Sequence, residues 1–288
     1  MTAASGLVVV DKPAGVTSHD VVSRVRRLAG TRKVGHAGTL DPMATGVLVL
    51  GLNRATRLLG HLTLTDKAYD ATIRLGATTT TDDAEGEPIS TAPTGGLDET
   101  QIRSALAAFV GDIDQVPTTV SAIKVDGRRA YRRVREGEHV ELPARPVTIH
   151  ELEVHRVRLG DEGVDVDISV RCTSGTYIRA IARDLGAELA VGGHLTALRR
   201  TAVGPFGLDQ AHTIEQLTEE FTMMPIAEAA RVSFPSRELG QAQAGDVRHG
   251  RQIDADLGGI TALFAPDGEF LALYEPSHGT TRAVAVFV

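Results

Sequence analysis

The chain has 288 residues, of which 42% are hydrophobic and 23% charged, a composition typical of a globular protein that buries a sizeable core. Its single cysteine, Cys172, excludes an intramolecular disulfide and a cluster of cysteine metal ligands. No apolar run approaches the ~20 residues that cross a bilayer. The N-terminus also lacks the basic and apolar segments of a signal peptide, so we expect a cytoplasmic protein with no membrane contact.

The net charge of −7 conceals a strong segregation of charge along the sequence. Residues 1–60 carry eight Lys or Arg against three acids, and residues 117–150 carry seven against four, whereas residues 80–100 carry six acids and no base. Because phosphate binding depends on a local basic face and not on the sum over the chain, a nucleic-acid partner is compatible with this charge. The alternative for each segment is ordinary solvated charge.

The N-terminal region predicts a strand, a turn and an amphipathic helix. Residues 7–10 are apolar, which is typical of a short buried strand, and the sequence DKPAG at 11–15 ends it in a turn. Thr17 or Ser18 is expected to cap the following helix, and Gly30 to end it. The apolar residues of this helix fall on one face: Val21, Val22, Val25 and Leu28.

The next segment, GHAGTLDPMATG at residues 35–46, combines three glycines with a proline. This composition indicates a tightly bent backbone, with positions where a side chain would clash or φ must be positive. The apolar run at 47–50 predicts a buried strand directly after it. Asp41 is the only acid on the bend, and from spacing alone it is either a turn residue bonded to its own backbone or a functional carboxylate.

The middle of the chain alternates between ordered and polar segments. Residues 69–75 alternate apolar and polar side chains, which predicts a half-buried strand with Tyr69, a core or functional residue, at its start. The acidic residues 78–100, with their prolines and glycines, predict an exposed loop or linker, and a helix follows it. Residues 115–145 form a basic excursion that suits a surface closing over an RNA backbone, the alternative being a solvated surface helix.

The last part of the chain predicts a strand-to-helix junction and then several short strands. Residues 164–172 alternate as a strand and continue into Tyr177 and Arg179, beyond which apolar residues recur at helical spacing. Short strand-like runs at 259–264, 269–274 and 282–288 are separated by turn signals. This spacing suggests a small β-barrel.

Six segments carry a resemblance to a known family: residues 11–15 (DKPAG), 35–42 (GHAGTLDP), 67–69 (KAY), 121–131 (SAIKVDGRRAY), 174–179 (SGTYIR) and 198–200 (LRR). Over residues 6–205 the chain resembles the TruB-type tRNA pseudouridine synthases. The resemblance implies an α+β pseudouridine-synthase fold, in which helices flank a mixed, mainly antiparallel central sheet. It implies a catalytic domain at 1–231, with the RNA-binding excursion at about 115–145, and a PUA-like RNA-binding β-barrel domain at 232–288.

The same resemblance implies the reaction and the residues that perform it. The expected activity is isomerisation of uridine 55 to pseudouridine in the T-arm of tRNA, by base flipping and without a cofactor. Asp41 is implied to be the nucleophile, and Arg179 the cation that keeps it ionised. Tyr69 is implied to stack on the flipped uracil and to receive the C5 proton.

Further residues are implied to bind the substrate. Tyr177 and Leu198 are expected to line the uridine pocket, and His36 to fill the space that the nucleotide leaves. His36 as a metal ligand is the alternative, but no neighbouring residue supplies partners, so no metal is expected. RNA contacts are expected from Lys124, Arg128, Tyr131, Arg132 and Arg200. Lys12 matches a family lysine near the site and is expected to support the loop structure or to contact a phosphate of the RNA.

Two other classes of function compete with this interpretation. An RNA-folding chaperone or binding module would use the basic face alone, and such a role can also accompany the isomerase. An aspartate-nucleophile glycoside hydrolase would need a second carboxylate as general acid, and no comparable motif supplies one. We therefore expect a tRNA-modifying isomerase that acts as a monomer without an obligatory protein partner.

Overall fold

The computed structural model describes residues 4–118, 124–125, 128–129, 142–160 and 162–288. Its strands are β1 (Gly6–Lys12), β2 (Val34–His36), β3 (Thr45–Leu52), β4 (Lys67–Leu75), β5 (Ala77–Thr79), β6 (Pro88–Thr91), β7 (Gly111–Gln115), β8 (Lys124–Val125), β9 (Arg128–Arg129), β10 (Arg145–Gly160), β11 (Gly163–Cys172), β12 (Gly193–Val203), β13 (Phe206–Gly207), β14 (Met224–Pro225), β15 (Ser236–Glu238), β16 (Thr261–Phe264), β17 (Phe270–Ser277) and β18 (Thr280–Val286). Its helices are α1 (Ser18–Leu28), α2 (Leu59–Thr63), α3 (Glu99–Ala107), α4 (Ile178–Glu188), α5 (Ile214–Glu219), α6 (Ile226–Ser233) and α7 (Gln241–Arg248).

A large central sheet organises the molecule. Its strand order is β14-β1-β3-β12-β4-β11-β10-β7, with β2 attached to β3 and β13 to β12. Neighbouring strands are antiparallel except β3 and β12, which run parallel where Arg199 and Arg200 oppose Thr45 and Gly46. The prediction of a mixed, mainly antiparallel sheet flanked by helices is confirmed.

Residues 7–10 of β1 and 47–50 of β3 are all apolar because both faces of these strands are buried. Val8 and Val10 of β1 pack into the core beneath α1, α3 and α4. Leu7 and Val9, which alternate with them, pack into a second core on the opposite face. This second core also contains residues of the C-terminal strands β16 and β17, so the C-terminal segment is packed against the central sheet.

Local signals in the sequence predicted several elements correctly. Thr17 caps α1 in a reciprocal capping box, in which its hydroxyl accepts from the backbone N–H of Asp20 at 3.1 Å and its own N–H donates to the Asp20 carboxylate at 2.9 Å. Strands β4 and β11 contain the predicted segments 69–75 and 164–172. The three predicted C-terminal strands are present as β16, β17 and β18.

The acidic segment at residues 78–100 was predicted to be an exposed loop or linker, which is wrong for the paired residues of β5 and β6 and for a few buried side chains, whereas most of the segment is exposed. Strands β5 and β6 pair in an antiparallel hairpin. The side chains of Asp83 and Thr94 are buried. The polar composition that suggested a loop includes a carboxylate that the fold uses internally.

The C-terminal strands form a sheet in the order β15-β16-β17-β18. Within the described residues this sheet is open, since no pairing joins its two outer strands. One face of this sheet contributes to the second core, and the other face forms a third core around Leu263, Leu271 and Tyr274.

Candidate active site

The bent segment lies between β2 and β3 at the edge of a cleft. Gly38 and Gly46 adopt φ values of +97° and +98°, a conformation that side chains disfavour. A Cβ atom at Gly46 would lie 2.2 Å from the carbonyl oxygen of Arg200 on β12. The glycines therefore allow the loop to turn sharply while its end passes directly against β12.

Two buried cations hold the backbone of this loop. Lys12, at the end of β1, donates from Nζ to the carbonyl oxygens of Val16 at 2.7 Å and Pro42 at 3.2 Å. Arg200 donates from Nε to the carbonyl oxygen of Val47 at 2.7 Å and from Nη2 to that of Gly38 at 3.1 Å. Charged donors to carbonyls form strong hydrogen bonds, so the loop is fixed on both sides of Asp41.

A third contact comes from the first turn of α1. The Ser18 hydroxyl accepts from the backbone N–H of Leu40 at 2.9 Å and donates to the Leu40 carbonyl at 3.1 Å. The side chain of Ser18 is buried, so both bonds are shielded from water. The residue directly before Asp41 is thus anchored to a helix terminus.

Arg179 binds the Asp41 carboxylate with two nitrogens. Its Nε lies 3.1 Å from Oδ2 of Asp41, and its Nη2 lies 3.3 Å from Oδ1. The Arg179 side chain is only 6% exposed, whereas that of Asp41 is 34% exposed. The carboxylate is therefore oriented from the protein side and open on the cleft side.

The same guanidinium is held from its other edge. Its Nη1 donates to the carbonyl oxygen of Thr81 at 2.8 Å and lies 3.3 Å from Oδ2 of Asp83. Asp83 accepts at Oδ1 from the Thr81 hydroxyl and from the backbone N–H of Glu85 at 3.0 Å. A buried cation thus connects two carboxylates, of which one faces the cleft and the other is enclosed.

Helix α4 positions Arg179, and the end of β7 positions the start of that helix. The Gln115 side chain accepts from the backbone N–H of Tyr177 at 2.8 Å and donates to its carbonyl at 3.1 Å. Tyr177 is the residue that precedes the helix and has no side-chain cap of its own. The buried amide of Gln115 fixes the backbone at this junction.

These residues surround a cleft of roughly 640 Å³, which is within the usual size of a small-ligand site. All the residues that the sequence predicted to be catalytic or to bind uridine line this cleft: His36, Asp41, Tyr69, Tyr177, Arg179 and Leu198. Lys67 and Arg200 also contribute to its walls. The cleft has both apolar and charged walls.

Burial shapes the electrostatics of this cleft. It raises the pKa of the Asp41 carboxyl; the guanidinium of Arg179 opposes this rise, and the negative charge of Asp83 adds to it. Burial also raises the pKa of the Tyr69 hydroxyl, against an opposing effect of Arg200. It lowers the pKa values of Lys12 and Lys67 to about 8 each.

Comparison with known proteins identifies the family. The model of the TruB family pseudouridylate synthase N-terminal domain matches residues 26–178. Models of the tRNA pseudouridylate synthase B C-terminal domain and of the tRNA pseudouridine synthase II C-terminal segment match residues 179–230 and 234–288. The chain belongs to the TruB family.

Relatives of similar length match this TruB-family chain almost from end to end. The tRNA pseudouridine synthase B of Arthrobacter sp. (strain FB24) is 59% identical, over 98% of this chain and 96% of the relative. That of Thermobifida fusca (strain YX) is also 59% identical, over 99% of both chains. Among solved structures, the fold is similar to a crystal structure of a Cbf5-Nop10-Gar1 complex, with a TM-score of 0.76 and 26% identity over 98% of this chain and 85% of the other.

The other residues predicted to contact RNA fall into two groups in this TruB-family protein: some are buried, and for the others little or nothing is described. Lys12 and Arg200 are buried, and their charged groups bind backbone carbonyls of the loop instead of facing solvent. For Lys124 and Arg128 only the strands β8 and β9 are described. Tyr131 and Arg132 lie outside the described residues.

Sequence analysis missed the supporting residues Ser18, Asp83 and Gln115. The TDD sequence at 81–83 contains a possible turn aspartate, a signal that favours local backbone bonding but gives no indication of a distant arginine. Among the described residues, no group of three or more His, Cys, Asp or Glu side chains is arranged to hold a metal ion. In the same part of the chain, no helix is long and apolar enough to span a membrane.

Proposed function

We propose that this protein isomerises uridine 55 to pseudouridine in the T-arm of tRNA. The observation that carries the proposal is the Asp41 carboxylate, which Arg179 holds at 3.1 and 3.3 Å on the wall of an open cleft. The names of its relatives, tRNA pseudouridine synthase B, agree with this activity. The position in tRNA follows from the family resemblance in the loop sequence GHAGTLDP.

The reaction breaks the N1–C1′ bond of uridine, turns the base and joins C5 to C1′, after which the C5 proton leaves. We assign the nucleophilic step to the Asp41 carboxylate, which must be ionised to act. Arg179 favours this ionised form and directs both carboxylate oxygens. Because Lys12, Ser18 and Arg200 fix the loop backbone, little reorganisation is needed when the nucleotide arrives.

Tyr69 is assigned two tasks in the cleft. Its ring offers a stacking surface for the flipped uracil, worth ~1–3 kcal/mol, which offsets part of the few kcal/mol that base flipping costs. Tyr69 lines the cleft, and its hydroxyl is assigned to receive the C5 proton. Since burial raises the pKa of this hydroxyl, it acts as a proton relay and is not a standing phenolate.

The remaining residues of the cleft are assigned to binding. Tyr177 and Leu198 line the space for the uridine, and His36 occupies the gap that the nucleotide leaves in the T-loop. The reaction needs no electron acceptor, so we propose that these residues suffice without a cofactor.

We further propose the organisation that the family resemblance implies. The catalytic domain comprises residues 1–231, and the C-terminal residues 232–288 form a PUA-like domain to which β15 to β18 contribute a four-stranded sheet. The protein acts as a monomer in the cytoplasm, where its tRNA substrate is found. Light scattering of the pure protein tests the monomer, since a dimer would double the measured mass.

The decisive experiment measures tritium release from T-arm RNA that carries C5-labelled uridine at position 55. We expect release by the wild type, no release by Asp41→Asn, and unchanged RNA binding by that variant, because the amide retains the shape of the carboxylate but not its nucleophilicity. Release by Asp41→Asn at the wild-type rate would contradict the assignment of the nucleophile. Absence of release by the wild type would contradict the proposed function.

A further inference from the structure

The structure divides the eight Lys and Arg side chains of residues 1–60 into two groups. Four of them donate hydrogen bonds to backbone carbonyls of the protein. Lys12 binds the loop as described above, Arg26 donates to Val34 at 3.1 Å, Arg54 donates to Phe287 at 2.7 Å, and Arg57 donates to Val286. The other four are Arg24, Arg27, Arg32 and Lys33. The basic character of the N-terminal region at the surface therefore comes from half of its cations.

Three of the remaining cations are close together in the chain and exposed, and we call them the α1 patch: Arg27, Arg32 and Lys33. They lie at the end of α1 and in the turn that leads to β2. Within the part of the chain that the structure describes, no acid forms an ion pair with any of them. Arg24 differs, since its charge acts on the carboxylates of Asp20 and Glu215.

The cations of the C-terminal segment contrast with this patch. Residues 232–288 carry seven acids against four arginines. Each of these arginines already has a partner: Arg237 on the carbonyl of Asp256, Arg248 on Glu269, Arg251 on Asp246 and Arg282 on Glu275. This segment therefore offers an RNA phosphate little free positive charge, although its family resemblance implies RNA binding.

Helix α1 connects the patch to the cleft. Ser18 and His19 at its first turn line the cleft, whereas Arg27 lies in its last turn and Arg32 and Lys33 follow it in the chain. Ten residue steps at a rise of ~1.5 Å place the two ends about 15 Å apart.

We propose that the α1 patch binds the phosphate backbone of the substrate RNA beyond the uridine in the cleft. The identification of this RNA as the T-arm depends on the proposed function. The patch fixes the direction in which the stem leaves the cleft, because phosphate contacts set the register and orientation of a nucleic acid. Its contribution is to affinity and not to the chemical step.

A purely structural role for these cations makes a different prediction. Arg27 is in the last turn of α1, where a positive charge stabilises the helix dipole by ~0.3–1 kcal/mol. If this were the main role, removing the charge would lower the melting temperature and leave RNA affinity unchanged.

The test compares RNA binding by two triple variants in the Asp41→Asn background, which prevents turnover during the measurement. One variant combines Arg27→Ala, Arg32→Ala and Lys33→Ala. The control combines Ser104→Glu, Ala107→Glu and Ala108→Glu, three exposed positions in α3 and directly after it that do not line the cleft, and changes the net charge by the same three units. The probe is a T-arm stem-loop RNA titrated at several salt concentrations.

We expect the patch variant to bind at least about tenfold more weakly at low salt, with a slope of log Kd against log salt that is shallower by about two. The control variant is expected to retain the wild-type slope. Unchanged affinity and slope in the patch variant, or an equal loss in the control, would overturn the proposal. Tritium release by the unmodified protein is measured in parallel. If it occurs while the patch variant binds RNA normally, this proposal fails and the proposed function stands; if it does not occur, the proposed function fails.

With Asp41 restored, the patch variant adds an independent kinetic result. At saturating RNA its kcat is expected to equal that of the wild type while its KM rises, since uniform binding has been removed. A fall in kcat with unchanged KM would place the patch in the chemical step and contradict the proposal.

Discussion

At the scale of single residues, the contact between Arg179 and Asp83 makes the clearest prediction. Asp83→Asn removes a buried negative charge that holds one edge of the guanidinium. It also replaces Oδ2, which faces Arg179, by an NH₂ group that cannot accept a hydrogen bond. Arg179 then loses its orientation toward Asp41, and a displacement of about 1 Å in a catalytic group costs about 10²-fold in rate. We expect kcat for tritium release to fall by about that factor.

Asp82→Asn is the matched control, because the Asp82 carboxylate lies near Arg183, at 3.6 Å, and forms no ion pair with Arg179 in the described part of the chain. Its rate is expected to stay within a few-fold of the wild type. The pH profile supplies a second readout. Asp41 must be ionised, so activity is lost as pH falls through its raised pKa. Arg179 lowers that pKa more than the charge of Asp83 raises it, so a displaced Arg179 leaves the pKa of Asp41 higher. The acid limb of kcat/KM should therefore move to higher pH, and an equal rate loss in both variants without this shift would contradict the positioning role.

At the scale of elements, the fit of the loop against β12 depends on Gly46. Gly46→Ala places a Cβ atom 2.2 Å from the Arg200 carbonyl at φ +98°, so the parallel contact between β3 and β12 has to separate. We expect the free energy of unfolding to fall by at least about 3 kcal/mol. Activity should fall with it, since Arg200 would lose its hold on the loop carbonyls.

Gly15→Ala is a suitable comparison, since Gly15 also has a positive φ of +78° but a Cβ atom there meets nothing within 4 Å. Only backbone strain remains, which costs about 1 kcal/mol. Thermal unfolding of the two variants measures the difference. Similar losses in both would show that the close approach to Arg200 is unimportant.

The loop also shows what a sequence can and cannot reveal about this site. The positive φ of Gly38 and Gly46, the capping by Thr17 and the alternation of β4 depend on neighbours in the chain, so local patterns predict them. The contact of Arg179 with Asp41 joins residues 138 positions apart, and only the family resemblance suggested it. Asp83 and Gln115 had no such guide, because an aspartate in a polar loop and a glutamine at a strand end are each common in solvent-exposed positions.

At the scale of the whole molecule, the C-terminal segment is expected to unfold together with the catalytic part. Phe264, Phe270 and Leu273 of its sheet share one core with Leu7 and Val49 of the central sheet. Arg54 adds a hydrogen bond of 2.7 Å to the carbonyl of Phe287, near the end of the chain. An interface that is both apolar and hydrogen-bonded favours a single cooperative transition over two independent ones.

Two substitutions test this coupling. Phe264→Ala removes a fully buried ring from the shared core, and Leu271→Ala removes a buried side chain from the separate core of the C-terminal sheet. Each should cost about 2–5 kcal/mol. In a coupled molecule both lower the temperature of one calorimetric transition, and tritium-release activity is lost at that same temperature. If Leu271→Ala instead produces a separate early transition while activity persists above it, residues 232–288 unfold independently and the shared core does not couple them to the active site.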